Sequence, residues 1–175
     1  GYLAFSDGLI VDDWWINEWL DSGDWDKIKN LTVTNGLYFQ RYFYGLLMLF
    51  PDPNQAGNYL TIAALGALSV CTFILFLKTR YFSRREAFII AALVSTVPAV
   101  KVYGNLMPMF FYVSCYLIFI LCCLCLLIAK NQSWTTFILL RCFAVIGFFI
   151  SFSTGSLLVF FFGFMFGLAL LDAYS

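Results

Sequence analysis

NYLTIAALGALSVCTFILFLKTRYFSRR, residues Asn58 to Arg85, is the stretch on which the fold turns. Its first part, Asn58 to Leu77, carries no charged side chain and reaches the ~20 residues a helix needs to cross a hydrocarbon core. Its second part holds Lys78, Arg80, Arg84 and Arg85, the densest basic cluster in the chain. An apolar run of spanning length followed at once by bases reads as a transmembrane helix with a cytoplasmic flank, because Lys and Arg are retained on that side.

The composition agrees. Of 175 residues 62% are hydrophobic and 11% charged, and the mean hydropathy is +0.87. A soluble domain is about half apolar and about a quarter charged, so the excess apolar surface here is expected to face lipid. Four more apolar segments follow the basic loop. Glu86 to Val100 is short, with Pro98 and Lys101 marking its end; Leu106 to Ala129 ends at Lys130. Trp134 to Ile150 precedes a small polar turn, Ser151 to Ser156, and Leu157 to Leu171 ends at Asp172. Gly163 and Gly167 form a GxxxG pair that suits close helix packing.

Upstream the character changes. Between Gly1 and Gly57 stand Asp7, Asp12, Asp13, Glu18, Asp21, Asp24, Asp26 and Asp52 against Lys27, Lys29 and Arg41. In DGLIVDDWWINEWLDSGDWDKIKNLT, Ile10, Val11, Trp14, Trp15, Trp19 and Leu20 fall near helical spacing, which predicts an amphipathic helix lying along the membrane with its tryptophans at headgroup depth. Ser22-Gly23-Asp24 reads as a break. Leu37 to Phe50 is too short to span and reads as a second surface helix or a short tilted element, ended by Pro51-Asp52-Pro53-Asn54. Asn30-Leu31-Thr32 is a glycosylation sequon or a chance match to one. Gly1 to Phe5 reads as the end of an apolar helix, so the numbered sequence is expected to begin inside a larger protein.

The expected fold is therefore all-α and polytopic. Residues 1–56 form an external, acidic, Trp-rich loop with amphipathic juxtamembrane helices, and residues 57–175 form a transmembrane bundle of about five helices. The positive-inside rule puts the Lys78–Arg85 loop in the cytoplasm and the acidic segment in the periplasm or a lumen. The charge asymmetry is a topology signal, not a nucleic-acid one. The absence of His removes His-based triads and the commonest metal ligand. All six cysteines lie in apolar runs and read as buried membrane thiols.

Asp12 and Asp13 are the sharpest chemical feature. Adjacent carboxylates between an apolar LIV and a double Trp repel each other and are desolvated, which raises at least one pKa. Such a pair suits a general base or a divalent cation, Mg or Mn; the plain alternative is that it solvates an external loop. Arg41 and Lys101 sit at external boundaries and read either as phosphate contacts or as snorkelling anchors. Arg141 falls about two turns into a span, where a charge costs at least ~2.5 kcal/mol, so it should face a cavity or a partner. Trp14, Trp15, Trp19 and Trp25 suit stacking on sugar faces or anchoring in the interfacial belt.

VDDWW, followed by NGLYFQRYFYGLLMLFPDPNQAGNYL, resembles the first-loop region of bacterial members of the GT-C superfamily of membrane glycosyltransferases, such as serotype-converting glucosyltransferases and related lipid-sugar enzymes. VPAVKVYGNLMPMFFYVS resembles their next external loop. Asn35-Gly36-Leu37 stands where the serotype-converting type usually has Gly-Arg-Pro, and the nearest arginine is Arg41. The resemblance implies transfer of a sugar from a polyprenyl-phosphate carrier on the non-cytoplasmic side, with Asp12 as base, Asp13 as second choice or metal support, and Arg41, Lys101, Arg141, Trp14 and Trp15 as substrate contacts. It also implies a longer protein than these residues. The competing expectation is a non-catalytic membrane subunit whose acidic loop binds a partner or a cation. A transporter is a third, with Arg141 and Pro98 as its support.

Overall fold

The computed structural model describes residues 16, 18–34, 39–101, 106–129 and 132–151, with backbone alone at 97–101 and 106–109. All the regular structure among them is helical. Six helices follow in order: α1 Trp25–Thr34, α2 Gln40–Leu47, α3 Pro53–Thr79, α4 Arg84–Lys101, α5 Leu106–Ala129 and α6 Trp134–Ser151. Among the described residues three stretches are long and apolar enough to cross a membrane: Pro53–Thr79, Phe110–Ala129 and Trp134–Ser151. The expected segment 157–171, its GxxxG pair and the turn before it lie outside the described residues.

Local chemistry sets the helix ends. Asp52 caps α3: its carboxylate accepts from the Gln55 N–H at 2.9 Å, and Pro53 takes the first helical position, where a missing N–H costs nothing. At the other end Arg80 adopts a left-handed conformation, φ 62°, and its N–H reaches the Leu77 carbonyl. α4 opens with a reciprocal capping box. The Ser83 N–H donates to Glu86 Oε2 at 2.8 Å, and the Glu86 N–H donates to Ser83 Oγ at 3.3 Å. The Ser83 backbone bond holds the Glu86 carboxyl below its ordinary range.

α4 ends at Lys101, where its sequence led it to be expected, and it runs through Pro98 on the way. Ser95 and Thr96, just before the proline, donate to the Ala91 and Leu93 carbonyls. With Arg84, Arg85 and Glu86 in its first turn and Lys101 at its end, its apolar part is shorter than a span needs.

The helices pack in the order α4, α3, α5, α6. One face of α3, Thr61, Ala64, Leu68 and Thr72, is buried at i, i+3 and i+4 spacing. Leu68, Cys71 and Leu75 meet Ile120 and Leu124 of α5, while Ala56 and Leu60 lie in a cluster with Phe110, so α3 and α5 run parallel. α6 returns antiparallel: Phe148 meets Phe119, and Gly147 lies against Cys122 and Ile118. α4 lays Ala87 and Ala91 inward, with Val94 near Leu68 and Cys71. Only 22%, 39% and 17% of the most apolar windows of the three spans are buried in the bundle. The rest, including Val70 on α3 and Val145, Ile146 and Phe149 on α6, is bare apolar surface of the kind that lipid covers. By length, composition and exposed surface this is an integral membrane protein.

Candidate functional site

The antiparallel order gives the bundle two chemically different ends. One holds the starts of α3 and α5 and the ends of α4 and α6, and α1 and α2 pack across it. The other holds Lys78, Arg80, Arg84 and Arg85, all exposed. They are called the amphipathic end and the basic end below.

The amphipathic end begins with a helical turn at residues 18–21 that stops at Gly23, φ +68°. The Gly23 and Asp24 N–H groups donate back to the Leu20 and Trp19 carbonyls, a closure that needs the left-handed region. Asp24 then caps α1: its Oδ1 accepts from the Lys27 N–H at 3.3 Å, and its Oδ2 pairs with Lys27 Nζ at 2.8 Å. The Lys27 hydrogen bond, above all, holds the Asp24 carboxyl below its usual range. The break expected at Ser22-Gly23-Asp24 is thus one device that stops one helix and starts the next.

An apolar cluster docks this layer. Ile16, Leu20, Ile28, Tyr44, Leu47 and Phe110 are buried together, with Trp19, Trp25, Leu31 and Phe43 packed around them. The Trp25 ring lies so close to Gly45 that a side chain there would meet it at 3.0 Å. Trp19 and Trp25, both half-buried, therefore pack within this layer. Gln40, also buried, donates from Nε2 to Tyr44 Oη at 2.9 Å. On the outer side Glu18, Asp21 and Asp26 are exposed. Thr32 is buried and donates to the Ile28 and Lys29 carbonyls, which leaves the sequon inside a helix with its hydroxyl engaged.

Asp12, Asp13, Trp14 and Trp15 lie outside the described residues. Of the remaining candidates, Arg41 on α2 donates to Tyr42 Oη at 2.7 Å and lies 4.7 Å from that ring's centroid. Lys101 is the last residue of α4 and so stands at the amphipathic end as well. Arg141 does not join them. It lies on α6 about 12 Å along the axis from Phe149, which touches Phe39 of the amphipathic end. Its guanidinium is turned the other way, over Phe137 at 4.2 Å from the centroid. Among the described residues no group of three His, Cys, Asp or Glu side chains gathers at one point.

Sequence reasoning missed the buried Gln40–Tyr44 bond and the contact of Gly147 with Cys122. The first had a signal in the i, i+4 spacing of a polar pair on an apolar helix; the second needs the partner helix to be known. Compared with known protein families, with characterised proteins and with solved structures, the chain matches none.

Proposed function

We propose that the protein is a membrane glycosyltransferase similar to the GT-C superfamily, moving a sugar from a polyprenyl-phosphate carrier to an acceptor on the non-cytoplasmic side. The observation that carries this reading is the docked amphipathic layer. An acid-bearing, tryptophan-rich segment is clamped by the Ile28–Tyr44–Leu47–Phe110 cluster onto one end of an apolar bundle, and the basic loop lies at the other end. The positive-inside rule then makes the basic end cytoplasmic and the acidic layer external.

In this reading Asp12 takes the proton of the acceptor hydroxyl. The acceptor oxygen bonds to the anomeric carbon as the carbon–oxygen bond to the lipid phosphate breaks, and the phosphate leaves with that electron pair. Arg41 and Lys101, at the same end, offset its charge, and Asp13 supports the base or a divalent cation. Asp12→Asn and Asp13→Asn, made singly and assayed for lipid-sugar transfer in membranes, test it. The base variant is expected to lose about 100-fold or more. Unchanged transfer in both, at normal protein levels, rejects catalysis by this pair.

A second reading, a non-catalytic subunit, has its own support. Trp19 and Trp25 are engaged in packing, and the outward faces of α4 and α6, with Phe88, Leu93, Phe143 and Val145 exposed, leave room for neighbouring helices. Co-purification of a stoichiometric membrane partner, together with aspartate variants that transfer normally, would establish it.

A further inference from the structure

We propose that Arg141, directed by Phe137 and Trp134, holds the phosphate of an anionic phospholipid on the face of α6, in the leaflet at the basic end. This lipid is distinct from any sugar donor, and its site does not depend on the glycosyltransferase reading.

Arg141 is exposed on a helix whose outward side is otherwise apolar: Ile138, Leu139, Val145 and Ile146 are exposed around it. A guanidinium stays charged, and within a bilayer it needs a counter-charge. None of the three spans carries a carboxylate, and the ion pair found among the described residues, Lys27–Asp24, lies at the opposite end. The counter-charge must therefore come from outside these spans.

A long helical side chain lies back toward the helix start, and this sets the depth of the Arg141 charge. The guanidinium lies over the Phe137 ring, one turn nearer the start of α6, and Phe137 is stacked on Trp134 with ring planes 16° apart and centroids 5.9 Å apart. Arg141 and Trp134 are seven residues apart, about 10 Å along the axis, and turning back over Phe137 recovers about 6 Å of it. Trp134 is 76% exposed at the helix start, as a ring at headgroup depth would be. The charge thus ends a few ångströms below that level, beside the lipid phosphates. The planar fork of Arg matches two phosphate oxygens, and a headgroup with net negative charge leaves both of them free to pair. The bases at positions 78, 80, 84 and 85 bias the same leaflet toward anionic lipid.

The test uses the full chain in mild detergent, titrated with phosphatidylglycerol or phosphatidylcholine and read by native mass spectrometry and thermal shift. The unmodified protein is expected to retain phosphatidylglycerol several-fold better and to gain Tm from it. Arg141→Gln should lose both effects, and Arg141→Lys should keep part of them. Phe137→Leu, which leaves the charge but removes the ring that aims it, should weaken the preference. Lys29→Gln, at the other end, should change neither. Equal phosphatidylglycerol retention by Arg141→Gln and the unmodified chain overturns the proposal. If that variant also breaks up an oligomer or complex, Arg141 pairs with another helix instead.

Discussion

At Gly147 the packing of two membrane helices depends on one missing carbon. A Cβ there would collide with Cys122 Sγ and press on Ile118 Cγ2 at 3.3 Å, and both Gly147 and Cys122 are buried. Small residues are what let membrane helices approach closely when lipid gives no hydrophobic drive to pair. Gly147→Ala should destabilise the α5–α6 contact by about 1–3 kcal/mol, the usual cost of overpacking, read as a lower midpoint of thermal unfolding in detergent. Cys122→Ala should restore most of it in the double variant, and a cycle with no coupling between the two would show that they do not meet. The sequence marks Cys122 only as an apolar-run thiol, because what a glycine accommodates depends on the facing helix. Trp25 teaches the same point: its preference for the interface is written in its ring, but its contact with Gly45 arises only when α1 folds against α2.

Single helices were far more legible, since their ends are fixed by neighbours in sequence. Ser22-Gly23-Asp24 reads as a break and is one, whereas Pro51-Asp52-Pro53-Asn54, read as the end of the preceding element, also starts α3 at Pro53, five residues before the expected Asn58. Removing the α3 cap with Asp52→Ala should cost about 0.5–2 kcal/mol, visible as faster amide exchange at Gln55 and Ala56, with Asp52→Ser close to unchanged. Exchange that does not respond would mean the cap is redundant with the packing of Ala56 and Leu60. Pro98 lies inside α4, which ends at Lys101; proline ends most helices in water, but in an apolar bundle the helix runs through it. Leu37 to Phe50 was expected to be too short to span, and it holds the eight-residue α2, with Gln40, Tyr44 and Leu47 buried.

For the molecule as a whole, the membrane class was evident from hydropathy and charge alone, whereas the neighbour order α4, α3, α5, α6 was not. The spans resemble one another in composition, and which of them touch is decided by small faces such as Thr61, Ala64 and Thr72. The candidate site was legible as a list of residue types but not as a place: Arg41 and Lys101 share an end with the acidic layer, and Arg141 does not. The proposed orientation makes a direct prediction. In a background with the native cysteines replaced, Asp21→Cys should react with a membrane-impermeant maleimide in intact cells, and Tyr81→Cys only after permeabilisation. The reverse pattern would turn the molecule over.

The unequal flanks of α3 bear on how the protein is made. Before its apolar run stands Asp52, and after it come Lys78, Arg80, Arg84 and Arg85. An insertion machine that meets this helix as it leaves the ribosome holds back the basic side and lets the other pass. The acidic layer would then be carried across ahead of α3 and fold only once outside, waiting for Phe110 of α5 to arrive and complete its anchor.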